Sequence, residues 1–265
     1  MTTIQNDKAI KYDIDDKGIL TLTIDMPGQS ANTMNEAFRN ALEATAQRVI
    51  DEKDSITGII IASGKKTFFA GGDLKELISV GPEQAEPFFT MVQSLKGHMR
   101  TLETLGVPVV AAINGAALGG GWEICLACHH RIALNDKSVQ IGLPEVTLGL
   151  LPGGGGIVRT VRLLGLEKSL PYLVEGKKLK ADAALKAGLI DAIANDVDEM
   201  MTMAKQWIVE NPKSKQPWDI KGFKIPGGTP SNPKIAQMLA IAPAMLKNKT
   251  KGCYPAPEAI MSAAV

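Results

Sequence analysis

The spacing of apolar residues divides the chain into short strands and amphipathic helices. Short β-branched apolar runs bounded by Gly, Ser or Pro predict buried strands. These strands are predicted at 21–24, 57–62, 108–113, 131–134 and 139–141. Apolar residues recurring every three to four positions predict amphipathic helices. The helices are predicted over 35–49, 86–105, 120–128, 157–164, 168–175, 181–187, 197–209 and 235–247.

Glycine-rich turns follow two of the strands and lead into helices. The turn at 63–72 should deliver Asp73 to the start of a helix, and the turn after Ile113 leads to a helix from Gly120. Two such strand–turn–helix units, about fifty residues apart, predict an α/β architecture. We expect a core over 1–195 and a helical C-terminal region or linker over 196–265. Within that region, Pro, Gly, Lys and Ser dominate 211–233, and a last helix should begin at 259.

Composition narrows the functional classes. Charged residues make up 22% of the 265 residues and the net charge is +1, so no basic patch indicates a nucleic-acid partner. The apolar runs are too short to predict a membrane span. Three cysteines, an odd number, do not predict a disulfide framework. The N-terminal sequence lacks an apolar signal core, so we expect a cytoplasmic location.

Two glutamates stand in an otherwise apolar, glycine-dense stretch. Glu123 directly follows three glycines, and Glu145 follows Leu143-Pro144. Apolar surroundings raise the pKa of a carboxyl group, and nearby glycines let backbone N–H groups approach a ligand oxygen. Alone, each glutamate would be explained by a helix N-terminus or a turn. Together with two glycine-rich turns, they predict acid/base catalysis beside an oxyanion site.

Other motifs in the sequence favour this interpretation less strongly or not at all. The glycine clusters lack the spacing of a dinucleotide fingerprint or a phosphate loop, and Gly-x-Ser-x-Gly is missing from the sequence. Cys125, Cys128 and His129 match the C-x-x-C-H pattern of haem attachment, and His130 adds a possible zinc ligand. Their apolar, helical context favours buried structural thiols instead.

Several motifs resemble the enoyl-CoA hydratase/isomerase (crotonase) superfamily, in the order in which that family has them. They are FAGGDL at 69–74, NGAALGGGWE at 114–123, LPE at 143–145 and LPGGGG at 151–156. The resemblance covers about residues 10 to 195. It implies a crotonase-like (ββα)n spiral core, an α/β fold, followed by a C-terminal helical region.

The resemblance also implies roles for individual residues. Glu123 and Glu145 would be the catalytic pair, and the N–H groups of Gly72 and Gly120 would bind the thioester oxygen. The loop 27–32 and the segment 70–75 would hold coenzyme A. The residues implied in substrate binding are Ala31, Ala70, Asp73, Lys75 and Gly119. Neither a metal nor a cofactor is implied, because the coenzyme A thioester is the substrate.

The implied reaction is hydration of a trans-2-enoyl-CoA to a 3-hydroxyacyl-CoA in fatty-acid β-oxidation. Δ3/Δ2 isomerisation needs the same enolate and one base, so both activities are expected to be compatible with the site. Which glutamate is acid and which is base stays open at this point. Thioester hydrolysis, decarboxylation and a non-catalytic acyl-CoA binding module are the alternatives.

The sequences of three segments are most similar to the N-terminal hydratase part of multifunctional fatty-oxidation α subunits. The segments are 127–132, 144–156 and the YPAP motif at 254–257. Such subunits continue into a 3-hydroxyacyl-CoA dehydrogenase domain, so we expect this chain to be a fragment of a longer polypeptide. The implied partners are an acyl-CoA thioester and either further copies of the chain or a thiolase subunit.

Overall fold

The computed structural model describes residues 9–265, which form eight strands and ten α-helices. The strands are β1 (Ile10–Ile14), β2 (Ile19–Ile24), β3 (Gly58–Ser63), β4 (Val109–Ile113), β5 (Ala117–Leu118), β6 (His130–Leu134), β7 (Ile141–Gly142) and β8 (Ala192–Ala194). The helices are α1 (Glu36–Asp51), α2 (Leu74–Ile78), α3 (Ala85–Glu103), α4 (Gly120–Leu126), α5 (Gly156–Leu164), α6 (Leu166–Val174), α7 (Ala181–Ala187), α8 (Val197–Glu210), α9 (Pro233–Thr250) and α10 (Ala256–Ala264).

Six of these strands form the main sheet, in the order β1-β2-β3-β4-β6-β8. β1 pairs antiparallel with β2, and every later neighbour is parallel. Parallel neighbours need crossover connections, which the helices between the strands supply. The chain therefore leaves β2, β3 and β4 at the same edge of the sheet, where the predicted glycine-rich turns lie.

A second, smaller sheet holds these turns in register. β5 pairs in parallel with β7, and isolated bridges join Phe69 to Ala117, Met34 to Gly72 and Ile141 to Leu179. The Met34–Gly72 and Phe69–Ala117 bridges connect the segments that follow β2, β3 and β4. Consequently, the two glycine-rich turns are fixed to each other by backbone hydrogen bonds.

The strand period of two places alternate residues of the main sheet on opposite faces. In β3, Ile59 and Ile61 belong to the larger core, while Ile60 belongs to a second cluster with Met200 and Ile208 of α8. Helix α8 thus covers one face of the sheet. The other face packs against the helices that position the glycine turns.

The C-terminal region packs against the core formed by the earlier part of the chain. Gln216, in the predicted linker, is 2% exposed and donates to the carbonyl oxygens of Leu126 and Cys128. Ile260 of α10 is fully buried in the larger core. The division between core and C-terminal region at residue 195 stays a prediction. Helix α8 follows that position in the chain and covers one face of the main sheet.

The predicted strands and helices are confirmed apart from the shortest elements. The strand predicted at 139–141 is instead Ile141–Gly142, and the last helix begins at Ala256, three residues before the predicted start. Three strands were missed, β1, β5 and β8. No helix within residues 9–265 combines the length and apolar character that crossing a membrane requires.

Replacing Ile60 with alanine should lower the free energy of unfolding by about 2–5 kcal/mol, because a fully buried side chain leaves a cavity between the sheet and α8. Urea unfolding monitored by circular dichroism measures this. Ile14→Ala is the matched control, since Ile14 lies on β1 and is 40% exposed. An equal loss in both variants would contradict the packing described for α8.

Candidate active site

The two glycine-rich turns approach each other closely at Gly71 and Gly119. Both residues have positive φ, +101° and +54°, which glycine adopts without strain. A Cβ atom added to Gly71 would lie 3.1 Å from the carbonyl oxygen of Leu118, and one added to Gly119 would lie 3.6 Å from the Gly71 Cα. A Cβ atom on Gly71 would therefore crowd the second turn, whereas one on Gly119 would reach the first turn at an ordinary contact distance.

Each turn presents an unused backbone N–H group beside this contact. Within residues 9–265, the N–H groups of Gly72 and Gly120 donate to no backbone acceptor outside regular helices and strands. Gly120 is the first residue of α4, where helix geometry leaves the N–H groups without intrahelical acceptors. The arrangement leaves two donors available for a ligand oxygen.

Glu123 lies in the first turn of α4 and is 3% exposed. Its Oε1 accepts a 2.7 Å hydrogen bond from the N–H of Gly156. A Cβ atom on Gly154 would stand 2.6 Å from its Oε2, so the glycines of 153–156 let that loop close over the carboxyl group. Burial raises the pKa of Glu123, while hydrogen bonds from the Gly156 and Gly154 backbone oppose the rise.

A buried ion pair supports the loop that holds Glu123. Arg159 donates to both carboxyl oxygens of Glu103, at 3.1 and 2.8 Å, and to the carbonyl oxygen of Gly154 at 3.2 Å. Both charged residues are less than 9% exposed. The positive charge of Arg159 also lowers the pKa of Glu123, against the effect of burial.

Glu145 lies in the short 3-10 turn Pro144–Leu148, on the other side of Gly119. A Cβ atom added to Gly119 would lie 3.0 Å from Oε1 of Glu145. Within the described chain, its buried Oε2 has no hydrogen-bond partner. Burial, and after it the negative charge of Glu123, raises the pKa of Glu145 to about 8.

An open cleft of about 580 Å³ runs from Glu145 along the first glycine turn. Its lining residues are Gln29, Thr33, Ala70, Gly71, Gly72, Asp73, Leu74, Lys75, Leu77, Gly119, Pro144, Glu145, Leu148 and Leu150. Most of the predicted substrate-binding residues meet here. Ala31 is not part of this lining, although its neighbours Gln29 and Thr33 are.

Asp73 and Lys75 differ in what they do at this cleft. The Asp73 carboxylate caps α2 by accepting from the N–H groups of Lys75 and Glu76, at 2.9 and 3.4 Å. The Lys75 side chain is exposed. Asp73 therefore shapes the turn, while the ammonium group of Lys75 is available to an anionic ligand.

Two supporting contacts were missed at the sequence level. Asn32 is fully buried; its Oδ1 accepts from Met26 N–H, and its Nδ2 donates to the carbonyls of Ile24 and Phe68. The Asn32 carbonyl accepts from Ala70 N–H at 2.8 Å, so this one residue joins the loop 27–32 to the first glycine turn. In the sequence, only the position of Asn32 inside the predicted coenzyme A loop indicated that it joins this loop to the turn.

The second missed contact is an ion pair between helices. Arg39 of α1 donates to both carboxyl oxygens of Glu76 in α2, at 2.9 and 2.5 Å. It also donates to the carbonyl oxygen of Met34, which bridges to Gly72. A bidentate pair of this kind fixes α2, and with it the turn that ends at Gly72.

The C-x-x-C-H segment belongs to the core. Cys125 and Cys128 are free thiols without exposed surface, as predicted for structural cysteines. The Nδ1 of His129 accepts a 2.9 Å hydrogen bond from the N–H of Val109. Across residues 9–265, no three His, Cys, Asp or Glu side chains come together as metal ligands would.

Comparisons with known proteins agree with this geometry. The family model for enoyl-CoA hydratase/isomerase matches residues 15–225. The crystal structure of an enoyl-CoA hydratase from Bacillus anthracis is 30% identical in sequence and superposes with a TM-score of 0.68, covering 77% of this chain and 76% of that chain. The predicted crotonase fold is thereby confirmed.

Two curated relatives carry the name fatty acid oxidation complex subunit alpha. The protein from Shewanella loihica is 40% identical over 96% of this chain, and the protein from Idiomarina loihiensis is 35% identical over 97%. The chain spans 36% of the length of each relative. The matched family and the shared fold together establish that the chain belongs to the enoyl-CoA hydratase/isomerase family.

Proposed function

We propose that the chain hydrates trans-2-enoyl-CoA thioesters to 3-hydroxyacyl-CoA as the N-terminal hydratase part of a fatty-oxidation α subunit. The observation that carries this proposal is the meeting of two buried carboxyl groups and two unused backbone N–H groups around Gly119. The family and the relatives, named as α subunits, support the same assignment.

The two amides would stabilise the developing charge on the substrate. Addition of water at Cβ of a conjugated thioester places negative charge on the carbonyl oxygen as the enolate forms. The N–H groups of Gly72 and Gly120 would bind that oxygen, and one such donor contributes about 3 kcal/mol to lowering a barrier. Because both donors belong to a rigid backbone, they need no reorganisation during the reaction.

The electrostatics assign different roles to the two glutamates. Two neighbouring buried carboxyl groups cannot both be ionised without strong repulsion, so the pair should carry one proton. The Gly156 N–H and the Arg159 charge favour ionised Glu123, whereas Oε2 of Glu145 has no donor within the described chain. Glu123 would therefore be the base and Glu145 the acid.

The proton balance of the reaction follows from these roles. Glu123 takes a proton from water as the water oxygen bonds to Cβ, and Glu145 gives its proton to Cα. The thioester regains its carbonyl, and exchange with solvent returns the pair to its starting state. No cofactor is needed for this sequence. Δ3/Δ2 isomerisation would use the same amides, with Glu145 moving the proton.

The cleft beside Glu145 is the proposed site of the coenzyme A thioester. We propose that the acyl-thioester end lies at Gly72, Gly119 and Glu145, while the nucleotide phosphates lie near Lys75. A thiolase subunit or further copies of the chain remain the proposed partners. The cytoplasmic location expected from the sequence stays a prediction.

Glu123→Gln and Glu145→Gln should each lower kcat for crotonyl-CoA hydration by roughly 10²- to 10⁴-fold, because each removes one proton-transfer group. Loss of absorbance of the conjugated thioester measures the rate. Glu258→Gln on α10 is the control, since Glu258 is exposed and should leave kcat unchanged. Wild-type rates in either active-site variant would contradict the proposed pair.

The pH profile should identify Glu145 as the acid. Its pKa of about 8 means that its proton is present below that pH and lost above it, so kcat/KM should fall about tenfold per pH unit on the alkaline side. The Glu145→Gln variant cannot titrate there, and its residual activity should lack this limb. An unchanged limb in that variant would assign it to another group.

Lys75→Ala should raise KM for crotonyl-CoA roughly three- to tenfold with little change in kcat, since it removes a charge that pairs with phosphate. The difference from wild type should shrink at high salt, which screens exposed charges. Lys17→Ala, at the exposed turn between β1 and β2, is the matched control. Equal KM values for the two variants would place the phosphates elsewhere.

A further inference from the structure

The C-terminal segment contacts the turn that carries Glu145. The hydroxyl of Tyr254, just before α10, accepts a 2.7 Å hydrogen bond from the N–H of Gly149 and donates to the carbonyl oxygen of Val146. Val146 follows Glu145 directly, and Gly149 ends the turn with φ at +75°. One hydroxyl group thus joins the middle and the C-terminal end of this turn to a segment more than a hundred residues away.

The fit of the tyrosine ring supports this contact. Tyr254 is half-buried and packs against the larger core. A Cβ atom added to Gly149 would lie 3.9 Å from the ring Cε2, so the ring stands directly beside this residue. Inside the turn, the N–H of Leu150 donates to the carbonyl oxygen of Glu145 at 3.0 Å. The backbone of Glu145 is therefore tied to the segment that Tyr254 holds.

The side chain of Glu145 depends on this backbone support. Glu123 is anchored by a direct hydrogen bond from the Gly156 N–H. In contrast, the Glu145 Oε2 receives no hydrogen bond from residues 9–265. The one hydrogen bond that lowers the pKa of Glu145 comes from its own backbone N–H, so the direction of this side chain depends on the conformation of the turn.

We propose that Tyr254 is a positioning residue for Glu145, whose carboxyl group it keeps beside Gly119 by holding the Val146 carbonyl and the Gly149 N–H. The proposal rests on the hydratase function proposed above. It also makes the YPAP segment part of the hydratase site, since the tyrosine of that motif supplies the hydroxyl.

Tyr254→Phe removes only the hydroxyl and keeps the packed ring. Its kcat for crotonyl-CoA should fall roughly tenfold with KM within about twofold of wild type, because a small misplacement of a catalytic group slows chemistry more than binding. Tyr172→Phe is the matched control, since Tyr172 of α6 is also half-buried and packs against the same core. A wild-type kcat in Tyr254→Phe would overturn the proposal.

Coupling to Glu145 separates positioning from a general structural effect. In the Glu145→Gln background, Tyr254→Phe should cause no further loss, because the group that it positions is already absent. The same fold loss in both backgrounds would overturn the proposal, since the tyrosine would then act independently of Glu145.

Amide hydrogen exchange tests the positioning without relying on turnover. Exchange over residues 144–150 should be faster in Tyr254→Phe than in wild type and unchanged in Tyr172→Phe. Unchanged exchange in Tyr254→Phe would overturn the proposal. A wild-type chain that does not hydrate crotonyl-CoA would contradict the proposed function, and the exchange result would then decide the positioning by itself.

Discussion

The close approach of two glycine turns is the constraint on which the rest of the site depends. Gly71 and Gly119 meet backbone to backbone with positive φ, beside the N–H groups of Gly72 and Gly120, and a Cβ atom on Gly71 would crowd the Leu118 carbonyl oxygen. Such an approach requires strands that deliver both turns to one edge. The parallel pairing of β3 with β4 supplies this, and the small sheet then locks the turns together.

Three separate polar contacts outside the cleft lining stabilise this arrangement. Asn32 joins the loop after β2 to the first turn, Arg39 fixes α2, and Arg159 supports the glycine loop around Glu123. Each of these side chains donates to at least one backbone carbonyl oxygen near the site. These contacts fix the main chain around the site. The N–H groups and carboxyl groups that would touch the substrate therefore keep their positions without bonding to one another.

Much of this organisation could be predicted from sequence because it rests on local patterns. Buried strands, amphipathic helices and glycine turns have characteristic periodicities, and Asp73 at a helix start is a capping preference. The strands β5 and β8 have two and three residues, too few to show a period, and their pairing partners are distant in sequence. The contacts of Asn32 and Tyr254 were missed for the same reason, since each depends on tertiary neighbours. The acid/base roles of Glu123 and Glu145 could be predicted only because glycine-rich turns lie near them in sequence.

The two carboxyl groups have different surroundings, which is what the proposed acid and base roles require. Burial raises the pKa of both carboxyl groups. The donors around Glu123 offset part of that cost, whereas the pKa of Glu145 is raised further by the neighbouring charge. A folded-state pKa above the unfolded value means that keeping Glu145 buried reduces stability as pH rises from about 4.3 toward its folded pKa. This loss of stability accompanies a protonated Glu145 beside Gly119, and the proposed reaction needs that proton.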